Sequence, residues 1–384
     1  MSNNLEIANQ LAPIIREHCE RSDVERNIAS PVIQALRKTP LGRMALAKAD
    51  GGEGTPLIET LMVYERLACE DAAVSWVLWN SGLVTFFSRF MTPTLRREVF
   101  GDDQFLFCQS TRPMGTIEAS PDGYVARGCW TLVSGCNHAD WAFLTCVAMD
   151  GGEPIMATSG MPRMPVIAVP RDQLEIIDTW NASGLRGTGS HDLRIEEVTI
   201  PAHRVFEISD QHTPREAIDR VPIMAAVTAI FAAQALGVSQ TACDHILQRG
   251  RDEITPGPMP DMRDRPDALT KIATHWAALS SARLGLHASA DQLWTSAGRG
   301  EDAGEASITS LYAMSMHAMS VARHAMNDLH ALGGTKALYV SSPLEKRNRD
   351  LQAMFRHIVA QPSMLADVGR SLFGASPQWP LYAL

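Results

Sequence analysis

The sequence predicts a mainly α-helical fold with one central β segment, in the order helical, β, helical. Three observations support this prediction. Apolar residues recur at helical spacing over roughly the first hundred positions, turn signals divide 105–206 into short strand-like runs, and the helical period returns after Pro214. We therefore expect an N-terminal helical domain over 1–103, a middle β domain over 104–207 and a C-terminal helical bundle over 208–384.

The N-terminal helices are predicted from apolar periodicity. Leu5, Ala8 and Leu11 recur three residues apart, and the stretch 57–87 carries long apolar faces separated by acidic residues. Thr55 and Pro56 precede that stretch and are typical of a helix entry, because the first helical turn tolerates proline.

The β segment is predicted from residue type and from its turns. The runs 141–147, 166–169 and 193–200 are rich in branched and aromatic residues. They are separated by turn signals such as Pro-Asp-Gly at 121–123 and Asp-Gly-Gly at 150–152.

Four segments after the β region are long enough for bundle helices: 215–250, 264–298, 304–332 and 344–373. On the last of these, Asp350, Met354 and His357 are predicted to share one helical face. A lone histidine on such a face is more often a packing residue than a functional one.

Composition and charge exclude several classes of protein. A net charge of -9 without Lys/Arg clusters argues against nucleic acid and anionic membranes as partners. The apolar stretch 221–237 is too short or too interrupted to span a bilayer, and the N-terminus lacks the pattern of a signal peptide. Seven irregularly spaced cysteines indicate reduced thiols in a cytoplasmic protein, and no metal-binding motif is found.

Two further motifs accompany His357. Segment 128–135 reads Gly-Cys-Trp-Thr-Leu-Val-Ser-Gly, and segment 184–193 reads Gly-Leu-Arg-Gly-Thr-Gly-Ser-His-Asp-Leu. Within the second segment, His191 and Asp192 could form a His-Asp pair that acts as a general base, although both residue types also form turns.

Together, these features resemble the acyl-CoA dehydrogenase superfamily over nearly the whole chain. The closer likeness is to its two-component flavin-dependent (group D) monooxygenases, such as those acting on indole-3-acetate, 4-hydroxyphenylacetate or dibenzothiophene. Members of that branch carry an Arg-Asp helix followed by a histidine, here Arg349, Asp350 and His357, and a Gly-x-Trp-x-x-x-Ser-Gly strand, here 128–135. The resemblance implies an N-terminal helical domain, a middle β-barrel or sandwich domain and a C-terminal four-helix bundle.

The resemblance also implies where the cofactor binds. Ser134 falls where the family places a hydroxyl against the flavin N5 edge, and Ser110 and Trp130 fall on the two flavin-facing strands. A homotetramer is implied, with flavin between subunits. Residues implied to contact a neighbouring subunit's cofactor pyrophosphate are Arg251, Gly333 and Gly334.

The superfamily contains both dehydrogenases and oxygenases, and the residues favour the second. The usual dehydrogenase carboxylate has no counterpart, and Arg-His-Ile at 356–358 stands in that region. Asp244 or Glu253 could supply a base instead, so an FAD-dependent acyl-CoA dehydrogenase remains the alternative, with a non-catalytic scaffold as a third possibility.

For an oxygenase, the resemblance implies reduced FAD or FMN, dioxygen and a flavin C4a-hydroperoxide, with flavin supplied by a separate NAD(P)H–flavin reductase. His357 and Ser134 are then the expected catalytic residues, and a small aromatic (indole- or phenol-like) or nitrogen-containing molecule is the expected substrate. The imidazole is expected to titrate near neutrality. Expected substrate-pocket residues are Trp76, Trp79, Phe86 and Asn80, the last standing where some relatives place a histidine.

Overall fold

The computed structural model describes residues 3–102, 105–209, 212–254, 260–379, 382 and 384. Its elements follow the order helices, strands, helices, so the predicted fold class is confirmed. The predicted boundary at 103–104 lies outside the described residues. The first helices are α1 (Asn3–Glu25), α2 (Ser30–Arg37), α3 (Leu57–Glu70), α4 (Ala72–Phe86) and α5 (Pro93–Phe100).

The strands form one mixed sheet in the order β6-β7-β2-β1-β3-β5-β8, with β4 paired to β3. Strands β1 and β3 run parallel to each other. The bounds are β1 (Phe107–Ser120), β2 (Gly123–Val133), β3 (Trp141–Asp150), β4 (Glu153–Pro154), β5 (Val166–Pro170), β6 (Glu175–Ile177), β7 (His191–Ile200) and β8 (Val205–Phe206).

Side chains alternate between the two faces of the sheet, and each face packs into a different hydrophobic core. Phe143 and Ala168 pack into the core shared with the helices. Their chain neighbours Leu144 and Ile167 pack into a second core within the β region. Because successive strand side chains point to opposite faces, the sheet can contact the helices and still close its own interior.

Helix α4 is the centre of the helical core, and every one of its residues is buried. Its N-cap residue is Asp71, whose Oδ1 accepts the backbone N–H of Ala73 at 2.9 Å. It contacts α3, α6 and strand β1. A helix with no polar face can be stable only when it is surrounded by other elements, and this position lets α4 present side chains to the sheet.

The C-terminal helices are α6 (Ile223–Asp252), α7 (Pro266–Gly298), α8 (Glu305–Leu332), α9 (Pro343–Met354) and α10 (Ser363–Leu372). Helix α6 is long and apolar enough to cross a membrane, in contrast to the expectation for 221–237, but 89% of its most apolar window is buried by the rest of the fold. We therefore interpret α6 as a core helix of the bundle.

The predicted single helix over 344–373 is wrong, because α9 ends at Met354 and α10 begins at Ser363. Beyond the helix end, the Phe355 ring packs against Phe231 at 6.1 Å between centroids, and the Arg323 guanidinium lies 4.1 Å from its centre. His357 has extended backbone (ψ 149°) and caps a short 3-10 turn, so it does not share a helical face with Asp350. The apolar pattern continues through this break, which is why periodicity did not reveal it.

Candidate functional site

One cavity lies where α4, the ends of β1 and β2, the loop before β7 and the end of α9 meet. Its volume is about 220 Å³. The segments that the sequence singled out, 128–135, 184–193 and the region of His357, all contribute to it. The residues lining this central cavity are Trp76, Asn80, Gln109, Ser110, Thr111, Arg112, Thr131, Leu132, Ser134, Trp180, Leu185, Ser190, Ala353, Arg356 and His357.

The structure brings Ser134 and His357 to this same cavity. Trp76 contacts both of them: its indole N–H donates to Ser134 Oγ at 3.0 Å, and its ring lies 5.5 Å from the His357 ring between centroids. The two predicted residues therefore both contact one tryptophan of α4.

Ser134 belongs to a chain of buried hydroxyls, which we call the hydroxyl chain: Ser134, Ser190 and Thr188. Ser134 Oγ lies 2.8 Å from Ser190 Oγ, and Ser190 Oγ lies 2.7 Å from Thr188 Oγ1. Thr188 Oγ1 donates to the carbonyl oxygen of Leu185 at 2.8 Å. The sequence motif contained Ser190 and Thr188, but the prediction drawn from it concerned the His-Asp pair and not these hydroxyls.

His357 lies among aromatic rings. Trp79 is 5.3 Å and Phe231 6.1 Å from its ring between centroids. Burial, helped by the nearby Arg112 guanidinium, lowers the pKa of His357 from its ordinary 6.5 to about 4. The imidazole is thus neutral at pH 7, and its pKa lies below the near-neutral value expected from the sequence.

The tautomer of His357 follows from its position as a cap. Nδ1 accepts the backbone N–H of Val359 at 3.4 Å, so the proton of the neutral ring belongs on Nε2. Among the described residues, Nε2 has no hydrogen-bond partner, and the ring lines the central cavity. His357 therefore presents an N–H donor to whatever occupies this space.

Two arginines add positive charge at the cavity. Arg112 and Arg356 are both exposed and line it, and Arg112 Nη1 lies 3.4 Å from Thr131 Oγ1. Neither forms an ion pair with a described carboxylate. None of the described lining residues is Asp or Glu. The sequence did not point to these arginines, because both stand outside any charge cluster.

Strand β1 changes register with β3 between Ser110 and Gly115. Gly115 faces Gly128 of β2, and a Cβ on Gly115 would lie only 2.1 Å from the Trp130 ring. The glycines therefore let the strands approach each other closely over that ring. Ser110 lies at the edge of this irregularity and lines the central cavity.

Trp130, expected on the flavin-facing strand, does not reach the cavity. It is fully buried in the core of the β region, where its indole N–H donates to the carbonyl of Thr145 at 2.7 Å. A direct contact with a bound ring would require Trp130 to leave this core, so we correct its assignment from cofactor contact to support beneath the strands.

The three residues expected at a pyrophosphate lie elsewhere in the described chain. Gly333 ends α8, and its carbonyl accepts from Arg249 Nη1 at 3.2 Å near the end of α6. Arg251 is exposed on the same helix end, and Gly334 has φ +60° with open space beside it. None of the three lines the central cavity.

Of the four expected substrate-pocket residues, Trp76 and Asn80 line the central cavity. Asn80 Oδ1 accepts from Gln109 Nε2 at 3.1 Å, which leaves Gln109 Oε1 buried without a partner. Trp79 does not line the cavity, but its ring lies 4.8 Å from the Trp76 ring and 5.3 Å from the His357 ring between centroids. Phe86 is 3% exposed, lies in the helical core and does not line this cavity, so its place in the pocket is corrected.

The alternative bases do not meet the cavity. Asp244 Oδ1 accepts from Gln240, and Glu253 pairs with Arg249 and Lys336. His191 and Asp192 do not form a general-base pair at the cavity either. His191 Nδ1 accepts the backbone N–H of Trp180 at 3.2 Å, and Asp192 Oδ1 accepts the backbone N–H of Leu132 at 3.3 Å.

The residues around the cavity suit a flat ring with a polar edge. Hydroxyls of Ser110, Thr131 and Ser134 and the neutral His357 lie around it, and residues 111–114 of β1 fall in the interruption of the β1–β3 ladder. A reduced isoalloxazine carries N–H and carbonyl groups along its edge, so this set of donors and acceptors fits a flavin ring.

The chain is similar to known flavin-dependent oxygenases over most of its length. A family model described as acyl-CoA dehydrogenase, C-terminal domain, matches residues 229–362. An indole-3-acetate monooxygenase of Pseudomonas putida is 27% identical, over 92% of this chain and 90% of that protein. An FADH2-dependent resorcinol hydroxylase, oxygenase component, of Rhizobium sp. is 25% identical, over 96% and 93%. The crystal structure of 3-HSA hydroxylase from Rhodococcus sp. RHA1 superposes with a TM-score of 0.88 at 23% identity, covering 99% of each chain.

Proposed function

We propose that this chain, a member of the acyl-CoA dehydrogenase superfamily in its branch of flavin-dependent monooxygenases, is an oxygenase that hydroxylates a small aromatic substrate. The observation that carries the proposal is that Ser134 and His357 line one cavity and both contact Trp76. A hydroxyl and a neutral imidazole that converge in this way can hold polar groups of a ring and of an oxygen donor at the same time.

Reduced FAD or FMN is the proposed cofactor and dioxygen the co-substrate. When bound, the reduced flavin would supply the electrons that activate dioxygen for transfer of one oxygen atom to the substrate. Ser134 and Ser110 are the proposed contacts of the ring within this chain, since both line the cavity. The relative named as an oxygenase component favours a separate NAD(P)H–flavin reductase as the source of that cofactor.

His357 is the proposed catalytic residue for oxygen transfer. Because Nδ1 is engaged by Val359 and the pKa is about 4, the ring offers Nε2–H as a donor at neutral pH. We therefore assign to His357 the donation of a hydrogen bond to oxygen in the cavity, in place of the deprotonation of a phenol or indole. The aromatic rings around it exclude water, which strengthens this hydrogen bond.

The proposed substrate is a phenol-like or indole-like ring that carries an O–H or N–H group. Trp76 offers a flat apolar wall beside the cavity, and Gln109 Oε1 is a buried acceptor without a partner. An unpaired buried acceptor is costly unless a ligand satisfies it, so a substrate with a donor group is favoured over a pure hydrocarbon.

A homotetramer in the cytoplasm is proposed for the assembled protein, as family resemblance implies. Three residues lie outside the central cavity of their own chain: Gly333, Gly334 and Arg251. This position leaves them free to contact the cofactor of a neighbouring subunit. Mass measurement by light scattering tests the oligomeric state directly.

The proposed function is tested by rapid mixing of the anaerobic complex of protein and reduced flavin with dioxygenated buffer. A transient C4a-adduct spectrum is expected, followed by hydroxylated product when a phenol or indole is present. The acyl-CoA dehydrogenase alternative predicts instead a yellow protein as purified, whose flavin is bleached by an acyl-CoA. Bleaching by acyl-CoA without an oxygen adduct would overturn the proposal.

A further inference from the structure

We infer that Thr188 and Ser190 orient the hydroxyl of Ser134 so that it faces the cavity only as a hydrogen-bond acceptor, and that the site thereby selects reduced over oxidised flavin. This inference rests on the proposed function, because it assumes that the flavin N5 edge lies at Ser134. It adds to that function two positioning residues and a physical basis for preferring one redox state.

The direction of the hydroxyl chain follows from counting protons. Thr188 Oγ1 lies 2.8 Å from the carbonyl oxygen of Leu185, and only the hydroxyl can supply the proton for that contact. Thr188 must then accept from Ser190 at 2.7 Å, because its single proton is already used. By the same reasoning, Ser190 must accept from Ser134 at 2.8 Å. Each hydroxyl therefore donates towards Leu185.

Trp76 completes the assignment. Its indole nitrogen is a donor only, and it donates to Ser134 Oγ at 3.0 Å. Ser134 thus uses its proton on Ser190 and one lone pair on Trp76. A hydroxyl oxygen has two lone pairs, so one acceptor site remains for a ligand and no donor remains.

Burial keeps this order in place. The exposed fractions are 1% for Thr188, 4% for Ser190 and 6% for Ser134. Water has little access to the chain, so an alternative donor cannot readily reverse it. Reversal would leave two oxygen atoms in contact at Leu185 without a proton between them, which is unfavourable in a buried site.

The consequence concerns one atom of the cofactor. In reduced flavin, N5 carries a proton and donates, which matches the free lone pair of Ser134. In oxidised flavin, N5 is an acceptor, so two lone pairs face each other. The mismatch weakens binding of the oxidised form and favours its release after turnover.

The test is the ratio of dissociation constants of oxidised and reduced FMN, or FAD, measured by titration in air and under anaerobic conditions. In Ser190→Ala, the Ser134 proton is freed and can donate to oxidised N5. The ratio Kd(oxidised)/Kd(reduced) should fall on the order of tenfold, mainly through tighter binding of the oxidised form. A tenfold fall lowers the potential of the bound two-electron couple by about 30 mV relative to wild type.

Three further variants separate this role from a general effect on folding. Ser190→Thr keeps a hydroxyl at the same place and should keep the wild-type ratio. Thr188→Val removes the hydroxyl that accepts from Ser190 and should shift the ratio in the same direction as Ser190→Ala. Ser289→Ala removes a hydroxyl from a partly buried pair, 3.1 Å from Ser310, that does not line the central cavity, and it should leave the ratio unchanged.

The outcomes distinguish this inference from the proposed function. Should wild type bind reduced flavin and form the oxygen adduct while Ser190→Ala and Thr188→Val keep its ratio, the inference is overturned and the function stands. Should wild type bind neither form of FMN nor of FAD, both are overturned. A fall of the ratio in both variants, absent in Ser190→Thr, supports the orienting role.

Discussion

The carboxylate of Asp350 accepts the backbone N–H of Leu185 at 2.7 Å, which joins helix α9 to the loop that carries Ser190 and Thr188. Its other oxygen accepts from Lys346 Nζ at 2.7 Å, and the same ammonium reaches Asp71 at 3.0 Å, where α4 begins. Asp350 and the partly buried Lys346 therefore join three walls of the central cavity: α9, α4 and the loop before β7.

We expect this cluster to be a main source of rigidity at the site. Burial acts to lower the pKa of Lys346, but the carboxylates of Asp350 and Asp71 outweigh it and raise the pKa, so the ammonium stays charged. Asp350→Ala removes one carboxylate from this cluster and leaves the Leu185 N–H without its acceptor. The free energy of unfolding should fall by about 3 kcal/mol or more, measured by urea denaturation.

A matched exposed pair provides the control for that measurement. Arg21 and Glu25 have the same i, i+4 spacing as Lys346 and Asp350, but their side chains are 52% and 46% exposed. Glu25→Ala should change the unfolding free energy by no more than about 0.5 kcal/mol. Equal effects of the two substitutions would show that the buried cluster contributes no more than a surface ion pair.

The sequence predicted the order of helices and strands because apolar periodicity reports burial, and burial here follows the elements closely. It also predicted that Ser134 and His357 belong to one site. It failed where local pattern and tertiary packing diverge. The end of α9 is set by the burial of Phe355 against another helix, and nothing in the local spacing records that contact.

Trp130 shows a second limit of sequence reasoning. A motif identifies a strand that lies near a site, but the side to which each residue points depends on register and bulges. Here the close approach of Gly115 and Gly128 places the Trp130 ring inside the core. The hydroxyl chain could not be predicted from the sequence for a related reason. Its hydrogen bonds depend on distances between segments that are far apart in the sequence.

Replacement of His357 should separate a donor from a base. His357→Ala is expected to reduce product formation on the order of 10²-fold, measured as hydroxylated product per flavin oxidised. His357→Gln keeps an N–H donor but cannot act as a base, so we expect it to retain most of the activity. His324→Ala, on exposed α8 surface, serves as control. Equal losses in the Ala and Gln variants would contradict the donor assignment.

The pKa of His357 also predicts a pH dependence of stability. The folded protein keeps this ring neutral down to about pH 4, whereas the unfolded chain takes up a proton near its ordinary pKa of 6.5. Unfolding therefore binds a proton between these values, and stability falls as pH decreases through that window. From pH 7.5 to 5, wild type should lose about 2 kcal/mol more than His357→Gln, measured by urea denaturation at both values.

This comparison isolates His357 from other titrating groups. Burial also lowers the pKa of His138 to about 4, but that residue is present in both proteins and cancels in the difference. Identical pH dependence of wild type and His357→Gln would mean that His357 is already accessible to solvent protons in the folded state.

Loss of the Ser134 hydroxyl should uncouple the reaction. Ser134→Ala removes the acceptor that we place at the reduced ring, so more oxygen should leave as hydrogen peroxide and less as hydroxylated product. The measurement is peroxide formed per reduced flavin consumed. Ser239→Ala, which removes a buried hydroxyl bonded to Ala322 inside the bundle, should keep wild-type coupling. Unchanged coupling in Ser134→Ala would contradict the proposed contact between the Ser134 hydroxyl and the reduced ring.

Backbone strain at Leu132 leads to the last prediction. Leu132 lines the central cavity with φ +61°, and its side chain is 51% exposed, which is unusual for leucine in both respects. Asparagine tolerates this conformation better, so Leu132→Asn should raise the free energy of unfolding by about 1 kcal/mol. It should also weaken binding of reduced flavin, because an apolar side chain at the cavity is lost.

Leu132→Ala is the matched comparison, since it removes the same apolar contact and keeps the strain of a β-carbon at positive φ. Both variants should bind reduced flavin more weakly than wild type, and only the Asn variant should gain stability. If the asparagine variant is more stable but binds reduced flavin as tightly as wild type, the strain at position 132 is unrelated to cofactor binding. Leu132 would then line the cavity without contributing to the proposed function.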